Sequence, residues 1–100
     1  MATYVMLMKM GAGGAGVDDE PITEAISEGA PEANKMVESY GGKVIGNYMT
    51  MGQYDFLSIV EFPDDESCAR AALKFREFGG STETMRAFPE REWPAIAKGA

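Results

Sequence analysis

Six side chains of this sequence could do chemistry together: Lys9, Tyr48, Thr50, Tyr54, Asp55 and Arg86. Asp55 is the centre of the set. It lies in "MGQYDF", Met51 to Phe56, directly ahead of the apolar run "FLSIV", although aspartate is a poor strand residue. A carboxylate in such a place must be paired or hydrated. Paired across strands with Lys9, or with Arg86, it would close one end of a sheet. In a cleft beside Tyr48 it would orient a small ligand, and burial that raised its pKa would make it a general base. Trp93 and Phe88 would wall such a cleft or simply anchor the terminal segment. The residue types assign no reaction, and the catalytic residues, if any, stay unknown at this level.

The chain excludes more chemistry than it offers. It has no histidine, which removes the commonest general base, the commonest zinc ligand and the usual proximal haem ligand. The single cysteine, Cys68, has no internal disulfide partner and reads as a small buried hydrophobe. Met6-x-Met8-x-Met10 and Met49-x-Met51 present thioethers of the kind that suit Cu(I), but they read as pliable packing. Gly11, Gly13 and Gly16 satisfy a G-x-G-x-x-G pattern. Asp18, Asp19 and Glu20 would repel the pyrophosphate such a loop cradles, so residues 11–20 are expected to form a flexible, glycine-rich, acidic loop. The expectation is no metal and no cofactor.

Charge and hydropathy narrow the partners. Nine basic residues against sixteen acidic ones give a formal charge of −7, which disfavours nucleic acid and anionic membrane surfaces. The acidic stretch from Asp18 to Glu38, with Lys35 its one base, reads as a solvated helix face. "YVMLM" is too short for a signal-peptide core and Lys9 interrupts it, and no run approaches a membrane span. A cytoplasmic protein is expected.

The elements that must position Asp55 follow from periodicity. "TYVMLMKM" is apolar on both faces, as a central strand is. "VDDEPITEAISEGAPEANKMVESYGG" carries a helical stripe that stops at Gly41-Gly42; Pro31 predicts a kink or two shorter helices. "KVIGNYMTM" and "YDFLSIVEF" read as strands joined at Gly52-Gln53 by a type II′ hairpin, pairing Thr50 with Asp55. "PDDESCARAALKFREFGG" is a helix capped by Asp64, with Cys68, Ala71, Ala72, Phe75 and Phe78 on one face and a Glu66–Arg70 pair on another. "STETMRAF" is a last strand, and "PEREWPAIAK" begins a short terminal helix.

This β-α-β-β-α-β order is the ferredoxin-like pattern, with an antiparallel sheet ordered 4-1-3-2 and both helices on one face. Alternation predicts Tyr4, Met6, Met8, Met10, Ile45, Met49, Met51, Tyr54, Phe56, Val60 and Phe62 beneath the helices. Val5, Leu7, Lys9, Val44, Gly46, Tyr48, Thr50, Asp55, Leu57, Ile59 and Glu61 fall on the opposite face, apolar in its middle. So large an apolar patch needs a cover, and the same face of a second chain is the simplest one.

"MGQYDFLSIVEFPDD", an alanine-rich helix and then "TETMRAFPEREW" resemble the GYD family, whose name matches a motif of the type at Gly52-Gln53-Tyr54-Asp55. The opening "TYVMLMK" and "GGKVIGNYMTM" fit the same family. Residues 11–32 depart from its pattern. The resemblance implies a single α+β domain over residues 1–100, of the dimeric α/β-barrel type, with no assigned activity. The expected function is a homo-oligomer-forming domain that binds a small organic ligand at the subunit interface. A cofactor-independent oxygenase or isomerase, with Asp55 and Tyr48 as acid–base pair, is the alternative. Expected partners are the chain itself and a small molecule.

Overall fold

Ala2–Lys9 contains neither glycine nor proline and forms β1, a central strand. The structure, a computed structural model, describes residues 1–10, 22–77 and 79–100. After β1 come α1 (Ile22–Ser39), β2 (Lys43–Met49), β3 (Phe56–Phe62), α2 (Asp65–Arg76) and β4 (Ser81–Ala87). A 3-10 turn at Glu90–Glu92 leads into α3 (Trp93–Lys98). The sheet order is β2-β3-β1-β4 and every pairing is antiparallel. This is the ferredoxin-like α+β fold that the element order predicts.

The core lies between the sheet and the two long helices. Met6, Val60 and Phe62 are fully buried, joined by Tyr4 from β1, Val37 from α1, and Cys68 and Ala71 from α2. Burying side chains of this size contributes about 1.5–3 kcal/mol each. The Tyr4 and Phe62 rings meet edge-on, their centres 6.1 Å apart, the arrangement that ring quadrupoles favour.

Local chemistry sets the helix ends. The Asp64 carboxylate accepts the Ser67 N–H at 2.7 Å, as an N-cap does. Its hydrogen bond with Ser67 holds that carboxyl below the usual range. Arg70 and Glu66 pair at 3.3 Å. At the end of α1, the Gly42 N–H bonds Val37 O and the Gly41 N–H bonds Glu38 O. With Gly41 at φ +82°, this is a Schellman stop. Pro31 does not divide α1, which runs as one helix through it. Its side chain is exposed.

Two further expectations need correction. A bulge between Val44 and Gly46 shifts the β2–β3 register by one residue. Val44 therefore pairs with Val60 and packs against the core, while Ile45 is half exposed; a one-residue slip exchanges faces. The β2–β3 link is also not a two-residue type II′ turn. The strands end at Met49 and Phe56, and Gly52 lacks the positive φ that such a turn requires. Met51, expected beneath the helices, stands fully in solvent in this link. Phe78 and the glycine-rich loop expected over residues 11–20 lie outside the described residues.

Candidate functional site

Asp55 continues the ladder on both sides of β3. Its N–H donates to Met8 O at 2.9 Å, and its carbonyl accepts the Thr50 N–H at 2.9 Å. The carboxylate Oδ2 accepts the Met10 N–H at 2.7 Å. A side-chain oxygen thus stands in for a strand carbonyl just past the end of β1. That bond is charge-assisted, about twice the strength of a neutral one.

The neighbouring residues tighten the same link. The Thr50 hydroxyl donates to the Tyr54 carbonyl, and the Tyr54 phenol donates to the Glu83 carboxylate. Glu83 faces Leu7 in the β1–β4 register. Tyr54 therefore reaches across the end of β1 on the face away from the helices, not into the core as alternation predicts. Its hydrogen bond to Glu83 raises the phenol pKa.

The expected ion pairs do not form. Among the described residues the salt bridges are Glu32–Lys35, Glu66–Arg70, Lys74–Glu77 and Glu61–Arg91, and none joins Asp55 to Lys9 or Arg86. Lys9 is exposed. Arg86 faces Tyr4 in the register, five residues along β1 from Lys9, or about 16 Å at strand rise. Its Nη1 donates to Thr3 O at 3.0 Å and to Ala87 O, with the guanidinium 4.5 Å from the Phe88 ring centre and 5.5 Å from that of Tyr4.

Tyr48 faces Leu57 on the open side of the sheet. Its ring lies back over Gly46, where an added Cβ would sit 3.1 Å from Cε2 and 3.2 Å from the hydroxyl. The phenol therefore runs toward Gly46, away from Thr50 and Asp55. The structure brings Asp55, Thr50 and Tyr54 into one link, with Glu83 and Met10 as partners that sequence reasoning misses. It places Tyr48 and Arg86 elsewhere, whereas Lys9 lies beside Asp55 on the chain, between Met8 and Met10, without pairing with it. Glu83 was within reach, since the strand order sets β4 beside β1; the Met10 amide gives no side-chain signal.

A groove of about 490 Å³ lies between α2 and β4. Ala69, Ala72 and Leu73 supply its apolar wall, and Arg76 and Arg86 its positive charge. Asp65, at the Tyr4 end that Arg86 also borders, accepts the Tyr4 hydroxyl. Burial first, then that bond, pushes the Tyr4 phenol up to about 12. Burial likewise pushes the Cys68 thiol up to about 11, which keeps it a thiol at neutral pH. The described residues contain no cluster of three or more Cys, Asp or Glu side chains able to hold a metal, and no helix among them is long and apolar enough to cross a membrane.

The model of the GYD domain matches residues 4–97. The chain belongs to the GYD domain family. A Thermus thermophilus protein named "Glutamine synthetase and cystathionine beta-lyase binding protein" is 37% identical over 60 residues. The match covers 58% of this chain and 63% of that protein, less than two thirds of the relative's length. In this GYD domain, Tyr54 and Asp55 are the two residues that tie the β2–β3 link to β4 and to the end of β1.

Proposed function

We propose that this GYD domain is a protein-binding module that assembles with copies of itself and docks on metabolic enzymes of the kind named for its Thermus relative. One observation carries the assembly: the apolar middle of the sheet face away from the helices has no cover from the described residues, although Arg91 reaches Glu61 at one end of that face, where Thr3 is buried. Val5, Leu7, Leu57 and Ile59 lie there half-buried, with Tyr48 and Met85 exposed around them. Apolar surface left open in this way favours association at roughly 25 cal/mol per Å² removed from water. The terminal helix adds to the argument. Among the described elements α3 touches only the turn that precedes it, leaving Trp93 and Ile96 exposed, while the Trp93 indole N–H is held by Phe88 O at 2.8 Å. A second copy stacked face to face, in the dimeric α/β-barrel manner, covers both surfaces. The acid–base alternative loses support because Tyr48 turns away from Asp55, whose carboxylate holds Met10.

Sedimentation at micromolar concentration tests the assembly. A dimer or larger species is expected for the wild type, and a folded monomer for Leu57→Lys. A monomeric wild type refutes it. Surface plasmon resonance against purified glutamine synthetase and cystathionine β-lyase tests the docking; failure to bind either enzyme removes that part of the proposal.

A further inference from the structure

Two arginines without ionic partners border one groove. Arg76, at the end of α2, and Arg86, on β4, both line the groove of about 490 Å³ between those elements. Neither takes part in a salt bridge among the described residues, although the chain carries a formal charge of −7. The acid among the lining residues, Asp65, is already engaged by Tyr4. Two uncompensated guanidinium groups in so acidic a chain favour an anion from outside it.

The two cations mark its two ends. Arg76 Nε lies 3.4 Å from Thr82 Oγ1. Arg86 follows Thr82 by four residues on the same face of β4, about 13 Å at strand rise. Its Nη1 turns onward, bonded to Thr3 O at 3.0 Å and to Ala87 O. The Nε and Nη2 edge makes no hydrogen bond to a described residue, and the Phe88 and Tyr4 rings steady the guanidinium. A fork held in this way loses little freedom when it takes up a carboxylate. No single carboxylate reaches both arginines. With a charge-assisted bond of about 2.8 Å at each end, a ligand that bridges them must span at least about 7 Å between its outer oxygens. Along α2 between the two ends, Ala69, Ala72 and Leu73 form an apolar wall, which suits methylene groups and not a further charge.

We propose that the α2–β4 groove binds a linear organic dicarboxylate, with one carboxylate at Arg76, the other at Arg86, and the methylene chain along Ala72 and Leu73. This site goes beyond the protein-binding reading above and does not depend on it. It opens on the helix side of the sheet, so two sheets that close through their opposite faces and their edges leave it in the outer layer. It uses no backbone group of the β4 edge, and every group that holds the ligand belongs to one chain.

The probes are succinate, adipate, suberate and sebacate, titrated at low ionic strength into isotope-labelled full-length chain and followed by amide chemical shifts. Shifts concentrated on α2 and residues 81–87 are expected, with the tightest binding at adipate or suberate, because succinate is too short to reach both arginines. Octanoate has the length of suberate but lacks one carboxylate, so it should bind about tenfold more weakly. Arg76→Gln should abolish that difference and leave suberate no better than octanoate. Arg76 is exposed, and its one hydrogen bond among the described residues is the long one to Thr82, so the variant keeps its fold. Lys43→Gln, a charge lost on the far edge strand, should leave the preference for suberate unchanged. No saturable shifts at millimolar ligand, tightest binding at succinate or sebacate, equal affinity for octanoate, or an unchanged preference in Arg76→Gln would overturn the site. The Leu57→Lys monomer should bind suberate as the wild type does. Loss of binding there puts the ligand between two copies and also overturns the proposal, whereas a monomeric wild type that still binds suberate supports the site and refutes the assembly alone.

Discussion

Replacing Asp55 measures what the aspartate of the motif does in this particular fold. Asp55→Ala removes one charge-assisted bond to the Met10 N–H, 2.7 Å long. Bonds to charged groups contribute about 1.5–3 kcal/mol net. Met10 and Asp55 are both only partly buried, so water takes over the freed amide and the lower figure applies, about 1.5 kcal/mol. With a urea m-value of about 1 kcal/mol/M for a domain of this size, the unfolding midpoint should fall by about 1.5 M. Asp55→Asn keeps an acceptor oxygen and loses only the charge, so it should cost about half as much. Lys9→Ala should change stability by less than about 0.5 kcal/mol, with a coupling to Asp55→Ala below about 0.3 kcal/mol. The assay is urea unfolding followed by far-UV circular dichroism at one fixed protomer concentration, since self-association shifts apparent stability. A Lys9–Asp55 coupling of about 1 kcal/mol or more, or an Asn variant as unstable as the Ala variant, would refute the assignment of this carboxylate to a backbone amide.

Gly42→Ala places a Cβ 2.5 Å from Phe62 Cε1 and 2.8 Å from Val37 Cγ1, an overpacking that should cost about 2 kcal/mol and lower the melting temperature by about 10 °C in a thermal scan; an unchanged melt would show that Phe62 has room to move. With its thiol pushed up from 9.0 to about 11, Cys68 should alkylate at pH 8 roughly two orders of magnitude more slowly than an ordinary thiol, and mass spectrometry after timed iodoacetamide reads this directly. Tyr4 is raised from 10.0 to about 12 by burial and by Asp65, so the folded state holds that proton more tightly than the unfolded one. The sign makes its contribution complete below pH 10 and lost as pH rises from 10 toward 12; chemical unfolding across that window should show stability falling, and falling less steeply in Tyr4→Phe.

How far the sequence carries depends on whether a signal is a spacing or a local deviation from one. The elements and the Asp64 cap follow from periodicity and residue type, and the strand order from the ferredoxin-like pattern that the element order matches. The extra residue at Ile45 has no such signature, and everything N-terminal to it on β2 changes face. Asp55 meets Thr50 as the hairpin pattern predicts, but its charge points to a charged partner where the geometry supplies a backbone N–H. Tyr54 shows the opposite failure. Strict alternation directs it inward, yet it lies ahead of the strand's first residue, Phe56, where the period no longer binds it, and its hydroxyl finds Glu83.

The central position of β1 has a consequence during synthesis. Of the four strands of the sheet, β1 leaves the ribosome first, and it pairs with residues 56–62 on one side and 81–87 on the other. At about 5–20 residues per second, Thr3 waits some seconds for Ala87 to be made. A central, largely apolar strand is thus the one left longest without neighbours. Nascent chains that end before β4 carry "YVMLM" with one ladder edge bare, and they are the species on which a chaperone holding newly made protein should act.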